Sequence, residues 1–385
     1  MTMLTPNAQR LLRALMVDGP AYRADLARTL DVSRATITNL TNQLGDDGWI
    51  EEPDHEPRAL KNLIGTAPRL GVLASVMFLV DACTVTLARL DGRLLSSFTL
   101  SGVPGISASE RIAAGADLVD RLLAESDLPR TALRALHLAV DTQMDARTGD
   151  VYAQRASSRW YGVNPKEYFE TRFSVPLYLQ NTARLEGLAE SLWGAGRAHA
   201  DMLYAELSYG VTSAHVTGGV IQSGARGGSG ELGHTVYDWN GPLCTCGNAG
   251  CLMQYASIPA MLRDYETATG QATDWAGLCA LAQQGDPETT AITTRAATIL
   301  GRVLVNTCHL IDPEVIVLSG EVARCLPGFI DEVAATIRHA ALPLVARNVQ
   351  IVAAELTNVH AATARAGIES LRREEDVIAA ATNLP

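Results

Sequence analysis

Gly230-Glu231-Leu232-Gly233-His234, followed by Cys244-Thr245-Cys246-Gly247-Asn248-Ala249-Gly250-Cys251, is the stretch whose reading decides the fold. It sets one imidazole and three thiols in the pattern H-x9-C-x-C-x4-C. That donor set suits zinc, which prefers four soft or borderline ligands in a tetrahedron. Gly247 and Gly250 let so short a loop turn back on an ion. Four protein ligands leave no open coordination position. His234, Cys244, Cys246 and Cys251 are therefore expected to hold about one structural Zn2+ per chain. The remaining thiols, Cys83, Cys279, Cys308 and Cys325, are scattered and read as core fillers.

The 385 residues are 47% hydrophobic and 19% charged, which suits a globular chain of two or three folded units. A net charge of −11 excludes a protein that coats nucleic acid through bulk charge, though not a small DNA-binding module. No apolar run of about 18 residues occurs, so no membrane span is expected. Met1 to Arg13 lacks the charged-then-apolar pattern of a signal peptide. Clustered thiols without such a signal point to metal rather than disulfides, and to a cytoplasmic protein.

Residues 1–50 read as three helices. Leu11, Leu12, Leu15 and Met16 recur at helical spacing until Gly19-Pro20, and Leu26, Ala27 and Leu30 mark a second, short helix. Asp31-Val32-Ser33 is a tight connection, with Ser33 a good N-cap for a third helix that buries Ile37, Leu40 and Leu44. Two short helices joined this way make a helix-turn-helix, and the polar stretch from Glu51 to Lys61 suits a wing. The solvent face of the third helix carries Arg34, Thr36, Thr38, Asn39, Asn42 and Gln43. With Ser33, these are short or planar hydrogen-bonding groups suited to base edges and phosphates. An ordinary exposed helix more often carries Glu and Lys. Residues 1–70 hold eight basic and nine acidic side chains, a net charge of −1, so the non-specific phosphate term should be weak. Double-stranded operator DNA would then be bound by two copies on a two-fold-related site.

From about residue 70 the pattern changes. Val72 to Leu90 reads as strand, turn and strand, with Asp91-Gly92 at a hairpin turn. Further strands are expected at Leu133–Val140, Leu177–Gln180, Leu203–Ser208, Ala214–Ile221 and Val315–Leu318, alternating with helices. The result is an α/β architecture. The strand-turn-strand unit recurs near 76–90 and near 203–221, which suggests two related lobes.

These residues resemble the repressor, open reading frame, kinase (ROK) family. The resemblance rests on Gly230-Glu231-Leu232-Gly233-His234, the Cys-x-Cys-Gly-x-x-Gly-Cys-Leu run ending at Leu252, Asn306 and the segment Leu310–Leu318, and covers almost the whole chain. A winged helix-turn-helix before such a domain is the arrangement of the family's transcription factors; its sugar kinases lack it. The resemblance implies a two-lobed actin-like, ribonuclease-H-like domain with sugar and ATP in the cleft of the kinases. The boundaries expected are an all-α winged helix-turn-helix at 1–66, a linker at 67–75, lobe 1 at 76–190 and lobe 2 with the zinc loop at 191–359. The C-terminal helix, about 360–385, is expected to pack back on lobe 1.

Carried across position by position, the kinase elements are damaged. The first phosphate loop, Asp-x-Gly-x-Thr in the kinases, reads Asp81-Ala82-Cys83-Thr84-Val85, and the second reads Gly210-Val211-Thr212-Ser213-Ala214. The Asn-Asp pair that supplies the catalytic base is Asn181-Thr182, and threonine has no basic form at neutral pH. No ATP and no enzymatic activity are expected. The family's sugar ligands map to Asn181, Thr182, Glu231, His234 and Met253, so three of five are retained. Asn181, Glu231, His234 and Met253 remain as the candidate pocket for a sugar or sugar-derived effector. Carboxylates make the strong bonds to hydroxyls, and two are gone.

The sequence thus reads as a homodimeric, or tetrameric, repressor of carbohydrate uptake or metabolism genes, associated with the nucleoid through its DNA binding. The alternatives are an ATP-dependent sugar kinase with a fused DNA-binding domain, for which Asp141 is the candidate base, and a regulator that has lost its effector.

Overall fold

The structure is a computed structural model that describes residues 4–52, 63–79, 82–101, 107–151 and 160–382. Most of the expected wing and Asp81 of the first phosphate loop lie outside the described residues. The chain forms two compact units, Met1–Thr182 with His360–Pro385, and Ala183–Val359.

The first unit opens with α1 (Pro6–Asp18), β1 (Ala21–Tyr22), α2 (Arg23–Leu30), α3 (Arg34–Asp46), β2 (Ile50–Glu51) and β3 (Leu63–Thr66). Leu11, Leu12, Leu15, Leu26, Leu30, Ile37 and Leu44 are buried together, as their helical spacing requires. The expectation of an all-α N-terminal domain is corrected: the three strands form a small antiparallel sheet in the order β1-β3-β2. Two-residue strands carry no alternation to be read, which is why the sheet escaped the sequence.

Residues 67–75, expected as a linker, hold a 3-10 turn at Pro68–Leu70 and the start of β4 (Val72–Phe78). β5 (Ala82–Arg89), β6 (Leu94–Ser101), α4 (Ala108–Glu125), β7 (Leu133–Val140), α5 (Pro165–Phe173) and β8 (Leu177–Asn181) follow. The sheet order is β6-β5-β4-β7-β8, antiparallel in the first hairpins and parallel from β4 onward. One face packs on α4 and α5 through Val72, Ala74, Val76, Phe78, Val119 and Phe169. Leu73, Ala88 and Ala135 instead join the core of α1–α3, together with Ile368, Leu371, Val377 and Ile378 of the C-terminal helices Val359–Leu371 and Glu375–Thr382. The N-terminal helices and the first sheet therefore share one hydrophobic core.

The second unit holds α6 (Thr182–Trp193), β9 (Asp201–Leu207), β10 (Val211–Thr217), β11 (Val220–Ile221), α7 (Met253–Ala256), α8 (Ile258–Thr269), α9 (Trp275–Gln283), α10 (Pro287–Ile311), β12 (Val315–Ser319), α11 (Gly320–Cys325), α12 (Phe329–Ala340), α13 (Pro343–Asn348) and β13 (Gln350–Ala353). Its sheet runs β11-β10-β9-β12-β13, again antiparallel and then parallel from β9. Its core lies between this sheet and α10, through residues such as Leu203, Ile316, Leu318, Leu300 and Leu304. No helix among the described residues is long and apolar enough to cross a membrane.

Candidate functional site

Between β11 and α7 the chain makes no long element, and short-range bonds shape it instead. Leu232–His234 is one 3-10 turn. Isolated bridges pair Val236 with Cys251 and Leu243 with Ala249. Cys244 N donates to Asn248 O at 2.7 Å, and Gly247 N returns to Cys244 O at 3.0 Å. Gly250 has φ +69°, and a Cβ there would overlap the carbonyl oxygen of Asp238, so only glycine closes this loop.

The loop brings His234, Cys244, Cys246 and Cys251 together, with one ligand atom from each within 4.8 Å of all the others. Cys244 Sγ lies 3.7 Å from His234 Nδ1, and Cys246 Sγ lies 3.6 Å from Cys251 Sγ. A tetrahedron with zinc–sulfur bonds of about 2.3 Å and a zinc–nitrogen bond of about 2.0 Å has edges of roughly 3.5–3.8 Å. The donor set fits a divalent cation on that test. Burial raises the Cys244 thiol, but bonds from the Cys246 backbone, the neighbouring thiols and His234 outweigh it and bring it down to about 6. Burial, then Cys246 and Cys244, push Cys251 up to about 12. Packed sulfurs resist shared ionisation, and a cation among them would relieve that. Were His234 Nδ1 the ligand, Nε2 would carry the ring proton.

The candidate effector residues divide between the units. Asn181 ends β8 in the first unit; Glu231, His234 and Met253 belong to the second. The Glu231 carboxylate pairs with Arg184 at 3.5 Å. Arg184 is buried on α6 and also donates to the Gly227 carbonyl at 2.5 Å. Its burial lowers the guanidinium pKa, with Glu231 opposing. Sequence reasoning missed Arg184, although its place just after Asn181-Thr182 was a signal. Met253 opens α7 half-buried against the core of the second unit. Thr182 is buried, and its hydroxyl has no hydrogen-bond partner among the described residues.

On α3, Ser33 is the N-cap, accepting from Thr36 N at 3.1 Å. Its hydroxyl also meets that of Thr36 at 2.8 Å, and Thr36 is half-buried. Arg34, Thr38, Asn39 and Asn42 are exposed, while Ile37, Leu40, Thr41 and Leu44 are buried. Thr38 donates its hydroxyl proton back to Arg34 O at 2.8 Å. Neighbouring cations are engaged within the fold: Arg10 binds Leu30 O, Arg13 pairs with Glu375, Arg23 with Glu52 and Arg28 with Asp25. The expected phosphate loops look different from anion cradles. Cys83 is a buried β5 residue whose thiol is pushed up to about 12 by burial, against Arg111. Val211 to Ala214 lie within β10, paired with β9.

The ROK family profile matches residues 117–368, and the chain belongs to the ROK family. Its relatives include the xylose repressor of Bacillus spizizenii, 23% identical over 91% of each chain. Among solved structures, a ROK family transcriptional regulator described as a homolog of the E. coli MLC protein aligns over 98% of this chain and 96% of its own, with TM-score 0.73 and 22% identity. The ROK hexokinase of Thermus thermophilus aligns over 77% of this chain and 97% of its own, with TM-score 0.68 and 26% identity. The mixed α/β ROK fold with actin-like sheets follows, and the sugar kinases are the more distant relatives.

Proposed function

We infer that this chain is a DNA-binding transcriptional regulator, a repressor of carbohydrate uptake or metabolism genes acting in the cytoplasm. The observation that carries this reading is the reach of the alignments. Repressor-type relatives match over more than nine-tenths of both chains, whereas the hexokinase aligns over 97% of its own length within 77% of this chain. About a quarter of this chain lies beyond that alignment, and we assign α1–α3 and the small sheet to a winged helix-turn-helix at about 1–66. Ser33, Arg34, Thr36, Thr38, Asn39 and Asn42 are its DNA-reading residues, with Ser33 and Thr36 offering the helix N-terminus to phosphate.

The remaining chain is an effector and dimerisation domain without phosphoryl transfer. His234, Cys244, Cys246 and Cys251 hold one structural zinc ion, and Asn181, Glu231, His234 and Met253 recognise a sugar-derived effector. A homodimer spaces two recognition helices, and repression follows because a dimer on a promoter blocks polymerase without further contacts. The kinase alternative needs a carboxylate base, and Asp141 already accepts the Trp160 indole N–H at 2.7 Å. The test is binding of the purified protein to its own upstream intergenic DNA, with and without a hexose and pentose panel. A specific, sugar-sensitive shift is expected; no specific shift, or ATP turnover abolished by Asp141→Asn, overturns the reading.

A further inference from the structure

Within the first unit, the last turn of α1 meets the C-terminal helix Val359–Leu371 at a buried ion pair. Arg372 and Glu369 are each 8% exposed. Arg372 Nε donates to Glu369 Oε2 at 2.5 Å. Its Nη1 donates to the carbonyls of Met16 at 2.8 Å and Val17 at 2.7 Å. Those carbonyls belong to the final turn of α1, which has no basic residue of its own there. Helix ends leave carbonyls unsatisfied and negatively polarised, and a guanidinium fork answers both needs. Arg372 is thus a C-terminal cap for α1, supplied from more than three hundred residues away in sequence.

The helix bearing this cap is seated closely on the first sheet. A Cβ at Gly367 would overlap Ser75 Oγ on β4 and stand 3.3 Å from His137 Nδ1 on β7. Ser75 and His137 are register partners in neighbouring strands. One helix therefore touches the middle of the sheet through Gly367, and its end grips α1 through Arg372. A buried ion pair is a weak source of net stability, but a strict one of geometry, because removing one partner strands the other.

We propose that Arg372 is a positioning residue for the DNA-reading helices, and that the helix Val359–Leu371 conveys the state of the β4–β7 sheet to α1–α3. Arg372 touches no DNA in this scheme. The inference rests on the regulator reading for its DNA arm alone. The experiment uses the full-length, metal-loaded protein. Hydrogen exchange without DNA is compared between wild type, Arg372→Ala, Gly367→Ala and, as a surface control, Arg13→Ala. Both buried-site variants should speed exchange in residues 6–46 by about tenfold and leave β9 and the metal content unchanged; Arg372→Ala should also leave β4 unchanged, whereas Gly367→Ala should perturb β4 beside Ser75. Arg13 also bridges α1 to the C-terminal segment, yet its pair with Glu375 is exposed and its loss should change little.

In the DNA arm, Arg372→Ala should weaken binding to the upstream fragment about tenfold with an unchanged salt slope. A salt slope reduced by about one would make Arg372 a phosphate contact and overturn the proposal. Exchange in 6–46 unchanged by both buried-site variants, or raised equally across β4 and β7 by Arg372→Ala, would also overturn it, since the latter is a purely structural role. If Arg372→Ala fails to fold, Gly367→Ala and Glu369→Gln carry the same measurement. Should wild type bind no DNA, the regulator reading fails, while the exchange arm still decides the clamp.

Discussion

Two five-stranded sheets share one strand order and one set of strand directions, yet they are completed by different means. In the first unit the third strand, β6, is eight residues long, and the sheet is covered on one face by α4 and on the other by the N-terminal and C-terminal helices. In the second unit the corresponding strand, β11, has two residues, and the chain leaves it for a loop that gathers four side chains able to hold a metal ion. The repeat is a matter of hydrophobic patterning, which any sequence with the right alternation satisfies. Apolar packing secures both sheets, against α4 and α5 in the first unit and α10 in the second; the difference is that the second unit adds a compact cluster of one imidazole and three thiols.

Breaking that cluster gives the largest expected effect. A structural zinc site contributes roughly 10–16 kcal/mol of apparent binding free energy at neutral pH in small zinc domains, as much as the whole stability of an ordinary domain. Cys246→Ala, or a strong chelator, should remove the metal and the cooperative unfolding of the second unit. Metal analysis with hydrogen exchange at β9 and β10 checks this, and exchange in α1–α3 should stay at its wild-type level. Wild-type protein prepared without chelators but containing no stoichiometric metal would sink the assignment.

A pH series sharpens the comparison, because each sheet carries a group whose titration is shifted between about pH 4 and 7, and the two act in opposite directions. In the first, burial lowers His137 to about 4. A histidine depressed on folding leaves the unfolded chain with more protons, so this contribution is complete above about 6.5 and is lost as pH falls toward 4. In the second, burial and then Glu186 raise Glu206 to about 7, with Glu321 adding and Ser208 and Arg324 opposing. A carboxyl raised on folding stays protonated in the native state, so its contribution is complete below about 4.5 and is lost as pH rises toward 7. Each shift corresponds to an upper limit of roughly 3 kcal/mol. Between pH 4.5 and 6.5 the protection factor, corrected for the intrinsic pH dependence of exchange, should rise in β7 and fall in β9 as pH rises; parallel changes in both would contradict the assignment. His137→Asn and Glu206→Gln should flatten their own profiles and leave the other's intact.

What was legible in the sequence follows the same division. The clustering of His234, Cys244, Cys246 and Cys251 could be read because all lie within eighteen residues and their donor chemistry is in the residue types. Ile37, Leu40 and Leu44 could be read because helical spacing alone buries them. The β1-β3-β2 sheet could not, since β1 and β2 are too short to alternate. Nor could the boundary at 67–75, because a linker and the first turns before a buried strand have similar composition. Arg372 with Met16, and Arg184 with Glu231, are contacts set by tertiary packing, and no local pattern announces them.

The smallest expected effect belongs to the exposed face of α3, proposed to read DNA, where the comparison within the first unit is sharpest. Arg34 and Arg372 are both arginines near helix ends, one exposed at the start of α3 and one buried against the end of α1. Arg34→Ala removes a group facing solvent, so folding, metal content and exchange in α1–α3 should be unchanged. Its loss should cost about 1–3 kcal/mol of operator binding, and if it contacts phosphate the salt slope should fall by about one. Retained affinity with a retained slope would take the start of α3 out of the interface and shift attention toward Asn39 and Asn42. A lost base preference with a retained slope would instead make Arg34 a reader of a guanine edge, the commonest specific contact an arginine makes in a major groove.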